Sequence, residues 1–244
     1  MQIIDLRTER QCTPIQIDSA HPRFSWRVDT KEQNWYQESY RIQVWKTCLG
    51  KKQCKVWDSG TVLSRAMSQI PYEGEPLKSD SCYSWTVEVK KEGGQAAVVS
   101  EEASFETAFY SDSEWNAEWI TEPQNTYHLY RTEFKADEKI AKVKLYICGL
   151  GHEECVINGK LVTDAVMEAG WTDYNKSCLY CAYDVSELVT AGDNAICVKL
   201  GDGMYRVPGG RYVYFPRSYG DRKLLATLRI IYEDGRTQEI STGD

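Results

Sequence analysis

The stretch KVKLYICGLGHEECVINGKLVTDAVMEAGW, residues 142–171, decides the fold of the chain. It begins with Val143, Leu145 and Ile147 pointing one way and the residues between them the other, which is the period of a half-buried strand. Two glycines interrupt this pattern, and a second apolar run leads into Asn158-Gly159. Because both residues of a type I′ turn need positive φ, this dipeptide predicts a β-hairpin. The stretch is therefore the predicted centre of a β-sandwich.

Short alternating segments recur along the first hundred residues. The clearest are RFSWRV (23–28), YRIQVW (40–45) and YSWTVEV (83–89), and turn signals such as Asp58-Ser59-Gly60 separate them. Strands at this spacing, with no helical period between them, are typical of a sandwich. The sequence thus predicts an all-β chain with a first sandwich before the one at residues 142–171.

The two predicted domains span residues 1–108 and 126–244. Between them the alternation lapses, and we interpret residues 109–125 as a linker whose Trp115 and Trp119 pack down at the domain junction. An exposed sugar-binding platform is the alternative for these tryptophans. The last residues show no closing strand, so we expect the second domain to be cut short. An unpaired sheet edge would then invite self-association.

Composition excludes several classes of partner. The chain has 244 residues and a formal net charge of −7, with a pI near 5.2. An acidic chain without a basic stripe repels phosphate backbones, which argues against nucleic acid. No apolar run approaches membrane-spanning length, and the N-terminus lacks the apolar region of a signal peptide. We therefore predict no membrane contact and a cytoplasmic location, or a secreted or periplasmic one if a signal precedes this sequence.

The cysteines and histidines predict no metal site. Nine cysteines cannot all pair, and Cys178 and Cys181, although spaced C-x-x-C, lie in an alternating segment where residues three apart face opposite ways. No second pair completes a zinc site. The histidines, His21, His128 and His152, are too dispersed in sequence to suggest a triad or a metal centre.

No catalytic motif emerges from the acidic residues or the glycines. Inverting glycosidases need an acid and a base on opposite sides of the scissile bond. The carboxylates of the second domain form no recognisable pair, and most fit a solvated face or a turn. Gly149-x-Gly151 lacks the third glycine of a dinucleotide loop. The carboxylates in question are Glu153, Glu154, Glu168, Asp173, Glu187, Asp202 and Asp221.

Ligand recognition is the remaining candidate function, because two predicted loops combine aromatic rings with planar polar groups. Aromatic faces pack on sugar C–H groups, planar polar groups bind vicinal hydroxyls, and loops at one end of a sandwich are where such sites lie. The competing interpretation is that Trp171 and Tyr174 pack on their own sandwich while Arg206 pairs with an acid. The candidate residues are Trp171, Asp173 and Tyr174 in one loop, and Tyr205, Arg206, Arg211 and Tyr212 in the other.

Several ordered segments carry a resemblance to known families. Leu77 followed by Tyr83, Trp85 and Val87 resembles the tyrosine-corner segment of fibronectin type III-like domains, in which the Tyr hydroxyl ties a crossing loop to the next strand. The chain as a whole resembles the N-terminal region of bacterial α-L-rhamnosidases, which hydrolyse terminal rhamnose from glycosides. The matching segments are PRFSW (22–26), VWDSG (56–60), CYSW (82–85), GLG (149–151), INGK (157–160), GWTDY (170–174), GDGMYR (201–206) and YGD (219–221).

This resemblance implies a fibronectin type III-like sandwich followed by a jelly roll similar to galactose-binding modules. In that family a downstream (α/α)6 barrel holds the catalytic carboxylates, and this chain stops before it. The resemblance therefore implies a non-catalytic scaffold or substrate-orienting module, whose partners are the downstream catalytic domain and rhamnose-containing glycosides. A stand-alone carbohydrate-binding module and a hydrolase active on its own are the alternatives. A related module uses calcium, but its ligands do not align here, so no cofactor is predicted.

Overall fold

The computed structural model describes residues 1–122, 128–207, 209, 211, 214 and 217–243. The described chain is all-β, as predicted, and its strands pair antiparallel. It divides into two compact units, residues 1–114 and 115–244. Among the described residues, the helical content is one 3-10 turn, Asp112–Glu114, and no helix is long and apolar enough to cross a membrane.

The first unit contains two antiparallel sheets. One has the order β1-β2-β6, and the other has the order β4-β3-β7-β8, with β5 added to β3 and β9 to β7. The strands are β1 (Gln2–Thr8), β2 (Arg23–Asp29), β3 (Gln37–Cys48), β4 (Lys51–Asp58), β5 (Val62–Leu63), β6 (Ile70–Pro71), β7 (Cys82–Lys91), β8 (Ala97–Val99) and β9 (Ala103–Glu106).

The core of the first unit follows from the alternation of its strands. In the β3–β7 pair, Ile42 lies opposite Val87 and Val44 opposite Trp85, and all four side chains are fully buried. The predicted tyrosine corner is confirmed, because the backbone N–H of Lys78 donates to the buried Tyr83 Oη at 2.9 Å. That bond fastens the loop before β7 to the strand itself.

The second unit has two four-stranded sheets, β10-β15-β12-β13 and β14-β11-β18-β19, and a short β16–β17 ribbon. Its described strands are β10 (His128–Ala136), β11 (Ile140–Leu150), β12 (His152–Ile157), β13 (Lys160–Leu161), β14 (Cys181–Asp184), β15 (Gly192–Gly201), β16 (Arg206–Val207), β17 (Arg217–Ser218), β18 (Lys223–Tyr232) and β19 (Thr237–Ser241). The predicted hairpin is confirmed: Asn158 (φ 50°) and Gly159 (φ 81°) join β12 to β13.

Strand β11 is buried on both faces, which differs from the half-buried strand that its alternation predicts. Leu145 and its inward neighbours lie in the core, as expected, but Lys144 and Tyr146 on the other face are also buried. The reason is that Trp115 and Tyr180 pack edge-to-face with each other, and both rings lie against Tyr146. These covering residues are distant in sequence from β11, so its own pattern cannot announce them.

The segment predicted as a linker, residues 109–125, contains the division between the compact units. Its residues 123–125 lie outside the described ranges. Of its two tryptophans, Trp115 is packed, whereas Trp119 is exposed. Ile120 extends the second unit by exchanging backbone hydrogen bonds of 2.9 Å with Leu224 at the start of β18.

Candidate functional site

Two glycine-flanked turns meet at one end of the second unit. Gly151 joins β11 to β12, and Gly203 follows β15. A Cβ on Gly151 would lie 2.3 Å from the carbonyl oxygen of Gly201, and one on Gly203 would lie 2.7 Å from the carbonyl of Gly151. Both residues also have positive φ, 149° and 53°. Glycine is required here because two backbones touch, and this explains the G-x-G spacing.

The predicted candidate Arg206 lies beside these turns and is committed to an ion pair. Asp202 Oδ1 accepts hydrogen bonds from Arg206 Nη1 at 3.3 Å and from Arg222 Nη1 at 3.1 Å. The Arg222 side chain is buried, and a buried guanidinium needs such a partner. The pairing of Arg206 with a neighbouring acid is the arrangement that the competing interpretation describes.

Two other candidates, Tyr174 and Tyr205, pack on each other. Their ring centroids are 5.3 Å apart, and Tyr219 completes the cluster at 5.2 Å from Tyr174 and 5.8 Å from Tyr205. Tyr205 is buried, and burial raises the pKa of its phenol. Tyr174 meets the other two rings edge-to-face, and Tyr205 and Tyr219 are stacked, which are the ordinary arrangements of packed aromatic side chains. These rings therefore fasten two loops together.

The candidates Asp173 and Arg211 do not join the tyrosine cluster. Asp173 Oδ1 accepts hydrogen bonds from the backbone N–H and side-chain amide of Asn175, at 3.3 and 3.2 Å, and Asp173 also pairs with Lys176. It shapes its own turn. Arg211 is exposed. Tyr212, from the same predicted loop, lies outside the described residues.

Trp171 is the one candidate residue that combines an exposed ring with a cavity. It is 59% exposed and borders a cavity of about 210 Å³, which we name the Trp171 cavity. Met167 and Met204 provide apolar walls, and the lining also includes His152 and Glu168. The cavity floor is backbone: Gly151 and Gly203 line it where their chains touch.

A second cavity, of about 190 Å³, adjoins the Trp171 cavity and shares His152 and Glu168 with it. Its lining is acidic, with Glu153, Glu154 and Asp164 added to Glu168. The thiol of Cys181, whose pKa burial raises to about 11, donates to Glu168 Oε2 at 3.1 Å. Acidic side chains therefore gather on this side of the unit, although Glu154 is paired with Lys199.

Glu153, one of these acidic residues, has a buried carboxylate. Its carboxylate is buried against Gly149, where a Cβ would lie 2.5 Å from Oε2, and neither oxygen accepts a hydrogen bond of normal geometry from the described residues. Burial raises its pKa to about 7; the nearby amides of Glu153 and Gly149 oppose the shift, and the charge of Glu168 adds to it. Glu153 is thus a second-domain carboxylate that does not lie on a solvated face.

The backbone around Glu168 is strained. Met167 and Ala169 have φ values of 64° and 51°, a region that side-chain-bearing residues rarely adopt and that costs on the order of 1 kcal/mol or more each. Such strain persists only where the surrounding structure enforces it. Between these two residues, the Glu168 carboxylate accepts the hydrogen bond from the Cys181 thiol.

Sequence reasoning separated residues that the structure brings together. His152, Glu153 and Glu168 now share one end of the unit with Trp171. The only sequence signal was the glycine pair around Leu150, which marks a close backbone approach. Cys178 is exposed whereas Cys181 is buried. Across the described residues, no group of three or more potential ligands is arranged to hold a metal ion.

Comparison with known proteins gives two family matches along the chain. Residues 3–111 match the Rha78A-like, N-terminal immunoglobulin domain, and residues 138–244 match the alpha-L-rhamnosidase N-terminal domain. An immunoglobulin domain is, like the predicted fibronectin type III-like domain, a sandwich of two antiparallel sheets. The predicted architecture of two sandwiches is thereby confirmed.

Similar proteins include longer enzymes. An alpha-L-rhamnosidase of Formosa agariphila is 29% identical over an alignment of 262 residues, gaps included. The alignment covers 93% of this chain and 27% of the relative. The solved alpha-L-rhamnosidase from Dictyoglumus thermophilum has a TM-score of 0.85 and 32% identity over 99% of this chain and 29% of its own. The solved alpha-L-rhamnosidase from Aspergillus terreus has a TM-score of 0.83 and 30% identity, and the match covers 98% of this chain and 28% of that enzyme. The chain thus spans less than a third of each.

Proposed function

We propose, from the premise that the chain belongs to the α-L-rhamnosidase family as its N-terminal two-domain region, that it is a scaffold which supports and orients the catalytic part of a longer glycoside hydrolase. The observation that carries this proposal is coverage: nearly all of the chain aligns, yet it accounts for only 27% to 29% of each relative compared. The remaining length in those relatives is available for a catalytic domain.

The chemistry of the second unit supports a non-catalytic role. Glycoside hydrolysis needs two carboxyl groups that face a bound sugar across the scissile bond. Glu153 has the raised pKa of a general acid, but its oxygens are buried against Gly149 and do not face a second carboxylate across an open cleft. Asp202 is held by two arginines, so its charge is already neutralised by its partners.

An activity assay tests the alternative of a hydrolase active on its own. The chain is incubated with an aryl α-L-rhamnoside, and release of the aryl alcohol is followed at pH 5, 6 and 7. We expect the rate to equal that of buffer. Turnover that scales with protein concentration and disappears in Glu153→Gln would overturn the proposal.

The gene provides a second test of the scaffold role. We expect the reading frame to continue beyond residue 244 into a glycosidase domain. Deleting residues 1–244 from that longer enzyme should lower its thermal midpoint and its soluble yield, because the apolar surface that a scaffold covers would become exposed. A stop codon after residue 244, or a longer enzyme indifferent to the deletion, would contradict the scaffold.

A further inference from the structure

The Trp171 cavity combines aromatic, aliphatic and polar side chains. An indole that is 59% exposed stands beside the side chains of Met167 and Met204, and a carboxylate and an imidazole complete the lining. Ligand sites are concave and mostly apolar, with a few polar groups that fix orientation. The cavity has this composition on a small scale.

Its size limits the ligand to one ring. The volume of about 210 Å³ is below the roughly 300 Å³ at which pockets for drug-sized molecules begin. At about 30 Å³ per water molecule, it holds on the order of seven waters. A single pyranose displaces that amount of water, whereas a disaccharide would extend into solvent past Trp171.

The surrounding charge favours a neutral ligand. Glu168 lines the cavity and Asp164 lines the adjoining one, where Glu153 keeps its proton to about pH 7 and Glu154 is paired with Lys199. The whole chain has a net charge of −7. A uronic acid or a sulfated sugar would meet like charge on this side of the unit, while the hydroxyl groups of a neutral sugar are donors that carboxylate oxygens accept.

Two further features accompany the cavity. Met167 and Ala169, two of the twelve described non-glycine residues with positive φ, flank Glu168, and backbone strain of this kind can persist at ligand sites. Glu153 lines the adjoining cavity, and its buried carboxylate accepts no hydrogen bond of normal geometry from the described residues.

We propose that the Trp171 cavity binds one neutral pyranose ring. The indole of Trp171 packs against the C–H face of the ring, Glu168 accepts hydrogen bonds from ring hydroxyls, and His152 bonds a further hydroxyl at the rim. This site extends the scaffold role: the module would hold a sugar unit of the glycoside while the catalytic part acts elsewhere.

Titration calorimetry of the whole chain tests the site with three probes: methyl α-L-rhamnoside, methyl β-D-galactoside and the anionic methyl β-D-glucuronide. We expect saturable binding of at least one neutral glycoside, with a dissociation constant on the order of 1 mM. The glucuronide should bind at least about tenfold more weakly. Silence with both neutral probes overturns the proposal, and equal binding of the glucuronide overturns the preference for a neutral ligand.

Matched variants locate the binding. Trp171→Ala should weaken it at least about tenfold, and Glu168→Gln should weaken it less, since the amide keeps one acceptor. Trp119→Ala removes another exposed tryptophan of the same unit and should leave the affinity unchanged. Wild-type affinity in Trp171→Ala, with an unchanged thermal midpoint, overturns the site. The scaffold proposal does not depend on this outcome, because deletion and hydrolysis assays measure it separately.

Discussion

Strand β7 of the first unit and strand β12 of the second both bury polar side chains. In β7 the hydroxyl of Ser84 is buried without a hydrogen bond of normal geometry, but the larger Tyr83 and Trp85 have partners. In β7 the N–H of Lys78 reaches Tyr83 at 2.9 Å, and Trp85 Nε1 donates to Thr8 Oγ1 at 3.1 Å. In β12 the buried carboxylate of Glu153 accepts no hydrogen bond of normal geometry from the described chain. The difference teaches that equally buried polar groups can have opposite effects on stability. Removing a partnered group destabilises, and neutralising an unpartnered one stabilises.

The largest effect is expected on the partnered side, at Trp85. This side chain is fully buried and packs on Phe24 at 4.6 Å between ring centroids. Trp85→Ala should lower the free energy of unfolding of the first unit by about 4 kcal/mol, as measured by urea denaturation. Leu63→Ala, at an exposed position of the same unit, should change it by less than about 0.5 kcal/mol. A loss under about 1 kcal/mol at Trp85 would show that the core relaxes around the cavity.

Glu153→Gln should act in the opposite direction and depend on pH. The folded carboxyl keeps its proton to about pH 7, against a reference value of 4.5. Between these pH values the unfolded chain has already released that proton, so wild-type stability falls as pH rises. The glutamine variant escapes this loss, which amounts to about 3 kcal/mol at most. The variant should therefore be clearly more stable than wild type at pH 8 and nearly equal to it at pH 4.5.

Urea unfolding of the wild type and of Glu153→Gln, at about pH 4.5 and about pH 8, measures this difference in stability. Glu154→Gln is the matched control, because Glu154 is exposed and pairs with Lys199; it should show no gain at pH 8. If Glu153→Gln is no more stable than wild type at pH 8, the carboxylate has a partner, and the contrast between the strands disappears.

The smallest effect on stability is expected from removing the hydrogen-bonding hydroxyl of Tyr83. Tyr83→Phe removes the hydroxyl that receives the Lys78 N–H while leaving the ring in place. We expect a loss of about 1 kcal/mol, the net value of one such bond plus an unsatisfied amide. Tyr36→Phe, at a half-exposed tyrosine, should be neutral. Hydrogen exchange at the Lys78 amide should accelerate in Tyr83→Phe alone, and unchanged protection there would contradict the tyrosine corner.

The sequence predicted those features that depend on neighbours along the chain. Asn158-Gly159 specifies its turn through the φ values of two residues, and Tyr83 lies five residues from its partner. Alternation likewise placed Leu145 in the core. Each of these is a local property, so a single stretch of sequence contains the whole signal.

The remaining features depend on contacts between distant segments. Tyr146 is buried on its outer face because Trp115 and Tyr180 cover it, and neither residue is near it in sequence. The burial of Glu153 follows from the way two glycine turns touch. The positive φ of Met167 has no composition signal at all, because methionine gives no reason to expect it. The candidate site was therefore predicted only through Trp171.

The contact between Gly151 and Gly203 has a consequence for engineering. It fixes the strand ends by backbone alone, since any Cβ there meets a carbonyl, whereas residues 162–180 form a loop region whose Val166 and Trp171 side chains extend into solvent. A library that randomises the exposed positions of residues 162–180, and keeps Tyr174, Tyr180 and the two glycine turns, should thus retain the framework while changing its specificity. In this respect the second unit resembles an antibody variable domain, in which invariant strands display interchangeable loops.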